Sequence, residues 1–263
     1  MNRINQLFRE KPANILNVYF TAGYPERDST GTIIEALATA GADMIEIGMP
    51  YSDPLADGPT IQESGSQAIR NGMTLPLLFE QLAAVRPKVE VPLILMGYLN
   101  QVLQYGFDKF LADCQKVGVD GLILPDLPLY EYETLYRSKV EAAGLGMSFL
   151  ITPQTSQERI RKVDELSRGF IYMVSSAAIT GAKNEISEQQ VQYFERIANM
   201  DLETPRLIGF GISSHETFST ACNYASGAII GSAFIRALAG SNDLRETTSN
   251  FVNSIRNKTV LAS

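Results

Sequence analysis

I-L-N-V-Y-F-T-A-G-Y-P, Ile15 to Pro25, is an apolar run that stops in a glycine-proline turn. Rich in β-branched and aromatic residues, it reads as a buried strand from Ile15 to Ala22. The turn at its end separates two α/β architectures. A doubly wound open sheet for dinucleotides carries its glycine fingerprint directly after the first strand, and T-A-G-Y-P is not that fingerprint. Working outward, comparable runs recur at Met44 to Met49, Pro92 to Tyr98, Gly121 to Asp126, Met147 to Thr152, Phe170 to Ser175, Arg206 to Gly211 and Ala228 to Ser232. Helical patterns lie between them, among them Thr32 to Ala40, Phe107 to Val117, Tyr130 to Ala143, Ser156 to Ser167, Ser187 to Met200 and His215 to Ala225. Eight strand-helix repeats in 263 residues predict an α/β fold, a (β/α)₈ TIM barrel formed as a single domain over residues 1–263. The spacing of Ile4, Leu7 and Phe8 adds an N-terminal helix, and a short extra helix is expected after the eighth strand.

Composition narrows the function. The net charge of −7 argues against nucleic acid, whose binding draws on Lys and Arg. No apolar run approaches the ~20 residues of a membrane helix, and the first twelve residues lack the pattern of an export signal, so a cytoplasmic protein is expected. Cys114 and Cys222 lie far apart and outside any C-x-x-C pair, which reads as reduced thiols and no metal. The single histidine, His215, comes after G-I-S-S and reads as a helix-start residue, leaving little room for a Ser-His-Asp triad or a histidine-rich zinc site.

In a barrel the reacting groups stand at the C-terminal strand ends and on the loops beyond them. The second run continues as M-I-E-I-G-M-P-Y-S-D-P-L-A-D-G-P, so alternation puts Met44, Glu46 and Gly48 on one strand face, with Glu46 near the upper end. The tops of the other strands, T-A-G, M-G-Y, L-P-D, I-T-P, V-S-S, F-G-I and G-S-A, contain no Lys or Arg. Arg206 begins its strand at the opposite rim. Tyr19, Thr21, Tyr98, Tyr172 and Ser175 converge instead. A carboxylate among neutral groups has a raised pKa, which suits a proton acceptor and donor near neutrality. Asp57, in P-L-A-D-G-P, reads locally as a turn aspartate; Asp53 and Asp126 read as loop-folding residues. The loops after the second and sixth strands, Gly48 to Pro59 and Ser175 to Ile186, are long for this fold. At the last two strands, G-F-G-I-S-S and G-A-I-I-G-S-A-F offer backbone N–H groups to a phosphate, with Gly211, Gly231 and Ser232 the candidates and Ser213 a weaker one.

F-T-A-G-Y-P, E-I-G-M-P-Y-S-D-P-L-A-D-G-P-T-I-Q, G-V-D-G-L-I-L-P-D-L-P, the T-G of the sixth loop, G-F-G-I-S and G-S-A-F together resemble the alpha subunits of tryptophan synthase, in order along nearly the whole chain. The resemblance implies retro-aldol cleavage of indole-3-glycerol phosphate without metal or organic cofactor, in tryptophan biosynthesis. It implies that Glu46 is the general acid-base group and that Asp57 holds the indole N–H, which replaces the turn reading of Asp57. Tyr98 and Tyr172 would line the indole pocket with Tyr19 nearby. Thr180 and Gly181 match a lid, Gly181 also the phosphate, and Gly211, Gly231 and Ser232 match the phosphate cradle. Pyridoxal phosphate would belong to a beta-subunit partner in an αββα heterotetramer. Ser176 and Ala178 depart from the arginine and glycine frequent in that lid. Another phosphate-binding barrel enzyme would lack the D-P-L-A-D-G-P loop; a non-catalytic activator would have no use for intact Glu46 and Asp57.

Overall fold

A computed structural model of the chain describes residues 2–175, 187–209 and 211–257. Among these residues nine parallel strands form the sheet: β1 (Ile15–Thr21), β2 (Met44–Gly48), β3 (Leu93–Met96), β4 (Gly121–Ile123), β5 (Gly146–Met147), β6 (Leu150–Ile151), β7 (Ile171–Val174), β8 (Arg206–Gly209) and β9 (Gly227–Ile230). Pairing runs β5-β4-β3-β2-β1-β9-β8-β7-β6. The two ends of that order are halves of one extended stretch. Ser148 N–H donates to Leu122 O at 3.0 Å and Tyr172 N–H donates to Phe149 O at 2.9 Å, so residues 146–151 pass their pairing from β4 to β7 and the sheet closes on itself. The eight predicted runs are therefore the eight barrel strands, with the fifth divided where it changes partner.

Helices cover the outside. They are α1 (Arg3–Glu10), α2 (Ser29–Ala40), α3 (Pro59–Arg70), α4 (Leu75–Val85), α5 (Leu99–Tyr105), α6 (Phe107–Val117), α7 (Leu129–Glu131), α8 (Arg137–Ala142), α9 (Gln157–Leu166), α10 (Glu188–Ala198), α11 (His215–Cys222), α12 (Ser232–Leu238) and α13 (Leu244–Arg256). A π-helical turn, Tyr132–Tyr136, joins α7 to α8. Alternation along the strands divides the core: Val18, Phe20, Ile45 and Ile47 lie under the helices, while Asn17, Tyr19, Thr21 and Glu46 share the other face. Gly41 and Gly118, at φ 99° and 74°, end α2 and α6 in the left-handed conformation that a glycine adopts without a Cβ clash. The extra helix expected after the last strand is α12, which starts at Ser232, so the strand stops two residues before its predicted end.

The N-terminal helix plugs the bottom of the barrel. Ile4 and Phe8 are buried there, and a Cβ on Gly121 would come within 2.8 Å of Ile4 Cδ1, so the glycine makes room for the plug. Beside it, the buried Asp120 accepts from Arg3 at 3.0 Å, Arg86 at 3.4 Å and Leu93 N–H at 2.9 Å. His215 is the first residue of α11, capped by Ser214, and its Nδ1 lies 2.8 Å from Ile255 O; it is a helix-start residue, as expected. No helix of the described residues is long and apolar enough to cross a membrane. With the bottom closed by packing and ion pairs, the strand tops remain for chemistry.

Candidate active site

Strands β1 and β2 pair with Tyr19 opposite Glu46 and Thr21 opposite Gly48, which sets one row of polar side chains across the barrel. Glu46 is fully buried. Its Oε2 accepts from Asn17 Nδ2 at 2.8 Å, and Oε1 has no hydrogen-bond partner among the described residues. No ion pair involving Glu46 occurs among the described residues. Burial pushes its carboxyl up to about 8; the Asn17 hydrogen bond opposes the rise and the charge of Asp57 adds to it.

Asp57 combines the turn and the site. Its backbone is a turn, with its N–H donating to Pro54 O at 3.1 Å and its O accepting from Gln62 Nε2 at 2.8 Å. The side chain is turned to the site, where Oδ2 accepts from Tyr98 Oη at 3.1 Å. Tyr98 Oη in turn accepts from Ala56 N–H at 2.9 Å, so one phenol holds both the loop and its carboxylate. Tyr51 stacks on Tyr98 with ring centroids 5.1 Å apart and planes 25° apart. Burial raises the Asp57 carboxyl to about 6 against the Tyr98 hydrogen bond.

Tyr19 and Tyr172 are buried, and burial holds both phenols well above their ordinary pKa, with the charges of Glu46 and Asp57 acting the same way. Two glycines make space for them. A Cβ on Gly48 would stand 2.1 Å from Tyr19 Oη, and one on Gly209 would stand 2.5 Å from the Tyr172 ring. Asp126 accepts from Leu99 N–H at 2.9 and 3.1 Å and so holds the start of α5, the loop-folding role expected of it.

At the ends of β8 and β9, Gly211 has φ +79°, a conformation that suits glycine. Gly231 precedes α12, and a Cβ there would stand 3.2 Å from the Tyr19 ring. Ser213 is a poor phosphate donor because its N–H already donates to Thr217 Oγ1 at 3.1 Å. Thr180 and Gly181, with Ser176, Ala178 and the rest of the sixth loop to Ile186, lie outside the described residues. No cluster of metal-ligating side chains occurs among the described residues. Sequence reasoning missed Asn17, Tyr51, Gly48 as a spacer, and Gly209. The signal for Asn17 was available, since the alternation that puts Tyr19 and Thr21 inward puts Asn17 inward too.

Residues 5–260 match the family model described as tryptophan synthase alpha chain. The protein of that name from Phocaeicola vulgatus is 55% identical over 238 residues, 90% of this chain and 92% of its own length. Its counterpart from Flavobacterium johnsoniae is 54% identical over 258 residues, covering 97% of this chain and 100% of its own. The solved tryptophan synthase subunit alpha of Legionella pneumophila superposes with a TM-score of 0.87 at 32% identity, covering 98% of each chain. A chain of the tryptophan synthase complex from Pyrococcus furiosus gives 0.84 at 31% identity, over 92% of this chain and 98% of that one.

Proposed function

This chain belongs to the tryptophan synthase alpha chain family, and on that premise we propose that it is a carbon-carbon lyase cleaving indole-3-glycerol phosphate into indole and glyceraldehyde 3-phosphate. The observation that carries the assignment is Glu46: a fully buried carboxylate, without an ion-pair partner among the described residues, and near enough to Asp57 to feel its charge. A purely structural acid would be satisfied as Asp120 is. Glu46 takes the proton of the hydroxyl on the carbon attached to the ring and returns a proton to indole C3. The C3–carbinol bond breaks, its electron pair returns to the ring, and the carbinol oxygen becomes the aldehyde; one proton leaves oxygen and one arrives at carbon, so the step balances. Asp57 accepts the indole N–H and offsets the positive charge that the ring nitrogen carries when C3 is protonated. Tyr98 holds Asp57, and with Tyr172 and Tyr19 it supplies the walls for the flat ring.

The phosphate is assigned to backbone N–H groups at Gly211, Gly231 and Ser232, with Thr180 and Gly181 contributed by the sixth loop on the strength of the family resemblance. A neutral cradle of this kind fits a protein of net charge −7, whose overall field does not attract anions. The chain carries no cofactor of its own in this reading; pyridoxal phosphate belongs to a beta-subunit partner, and the assembly is αββα. The Pyrococcus furiosus neighbour, named as a tryptophan synthase complex, supports a partner of that kind. The test is indole release from indole-3-glycerol phosphate by the purified chain, alone and with a beta subunit. Release that requires Glu46 is expected, and failure to release indole in either arm overturns the proposal.

A further inference from the structure

Asn17 stands one inward position below Tyr19 on β1, opposite Met44 on one side and Ile229 on the other, and is completely buried. A buried amide inside a barrel costs stability unless it is paired. Here Nδ2 donates to Glu46 Oε2 at 2.8 Å, and Oδ1 has no partner among the described residues. The carboxyl is likewise half-engaged, with Oε2 held and Oε1 left over. Two orphan oxygens on hydrogen-bonded neighbours are a costly arrangement if they serve only to pack the barrel, because an apolar pair of similar volume would be at least as stable there.

We propose that Asn17 is a positioning residue for Glu46: it fixes Oε2 from below and leaves Oε1 as the oxygen that exchanges the proton with substrate. With Glu46 ionised, Nδ2 donates to it. With Oε1 protonated, Nδ2 still holds Oε2, but that bond is no longer charge-assisted and is weaker, so Asn17 favours the ionised form. A neutral donor holds Oε2 without the full positive charge of a lysine, which would keep Glu46 ionised throughout. The groups that face Glu46 leave this role to Asn17. From β1 they are Asn17 and Tyr19, from β3 the apolar Ile94 in register, from β7 Tyr172, and from the loop before α3 Asp57. The hydrogen bond from Asn17 favours ionised Glu46, and the charge of Asp57 opposes it.

The inference rests on the acid-base reading of Glu46, and its test separates the two. Asn17→Leu keeps the branched shape and removes both polar atoms; Asn17→Ala gives the same readout if the leucine variant does not fold. Protein labelled with ¹³C at glutamate carboxyls gives a resonance for Glu46, identified by its loss in Glu46→Gln. Its titration midpoint should rise by about one pH unit in the Asn17 variants, the scale of one hydrogen bond to a charged group. Steady-state indole release should lose kcat by ~10-fold at pH 7 with KM unchanged, and the loss should shrink as pH is raised past the new midpoint. A midpoint equal to wild type, or a loss of the same factor at every pH, overturns the role of Asn17. Indole release that survives Glu46→Gln overturns the acid-base reading instead, whatever the resonance does.

Discussion

Glu46 and Asp120 are both buried carboxylates, and the protein treats them in opposite ways. Asp120 at the barrel bottom has Arg3, Arg86 and a backbone N–H around it, whereas Glu46 at the top has one neutral amide. The difference has consequences for stability as well as chemistry. With a folded pKa of about 8 against an ordinary 4.5, Glu46 keeps a proton in the folded state that the unfolded chain releases. Between those values the folded state binds more protons, so wild-type stability falls as pH rises and levels off beyond about 8. Glu46→Gln removes that dependence. The variant should gain stability over wild type by about 3–5 kcal/mol more at pH 9 than at pH 4.5, on a scale of ~1.4 kcal/mol per pH unit, while its indole release falls at least ~10²-fold. Urea unfolding at the two pH values checks the first part; a gain independent of pH would contradict the burial account. For Asp57→Asn, turnover should fall by ~10-fold or more for want of a charge opposite the ring nitrogen. The fold should persist, because the turn is held by the residue's own N–H and C=O. Unchanged turnover would return Asp57 to a turn role.

Among the elements, the paired strands and glycines carry the site's geometry. Gly48 and Gly209 each face a tyrosine on a neighbouring strand, and Gly48→Ala would place a methyl 2.1 Å from Tyr19 Oη on a buried, close-packed face. The expected result is a strong loss of turnover with a smaller loss of stability, partly recovered in Gly48→Ala/Tyr19→Phe, since removing the hydroxyl relieves the closest contact. Equal losses in single and double variants would show that the two positions do not interact. The strands were legible from sequence because each is a short apolar run bounded by turn residues, and the register of Glu46 came from period-two alternation. Several helices were not. α5 is only seven residues long and is held at its start by Asp126 from another loop, a tertiary support invisible to local periodicity. In α13 the buried positions are Thr248, Val252 and Ile255, too few and too polar to stand out. Asn17 escaped notice for a different reason: a buried carboxylate directs attention to cations at the strand tops, and the partner of Glu46 is a neutral amide one step lower.

At the scale of the whole molecule, the barrel is sealed at one end and open to contact at the other. The bottom is filled by Ile4 and Phe8 of α1, whereas Leu55, in the loop between Glu46 and α3, is 81% exposed. A leucine that leaves water on binding contributes roughly 1.5–3 kcal/mol, so an exposed one beside a site is a suitable handle for the proposed beta-subunit partner. Leu55 is also connected to the chemistry. Its neighbour Ala56 donates to Tyr98 Oη, and Tyr98 donates to Asp57, the next residue. Covering Leu55 therefore limits the motion of the segment that aims the Asp57 carboxylate. If that segment is ordered by the partner and by substrate alike, each must raise the affinity of the other by the same factor. Leu55→Ala should leave indole release by the isolated chain within about twofold of wild type, because the side chain touches solvent and surface positions rarely matter. The same variant should lose much of the activation by a beta subunit, and a substrate analogue should strengthen beta-subunit binding less than it does in wild type. Titrating the beta subunit against both proteins, with and without the analogue, measures all three quantities. If Leu55→Ala is activated as fully as wild type and shows the same coupling, the partner does not act through this loop, and the ordering of Asp57 must come from substrate alone.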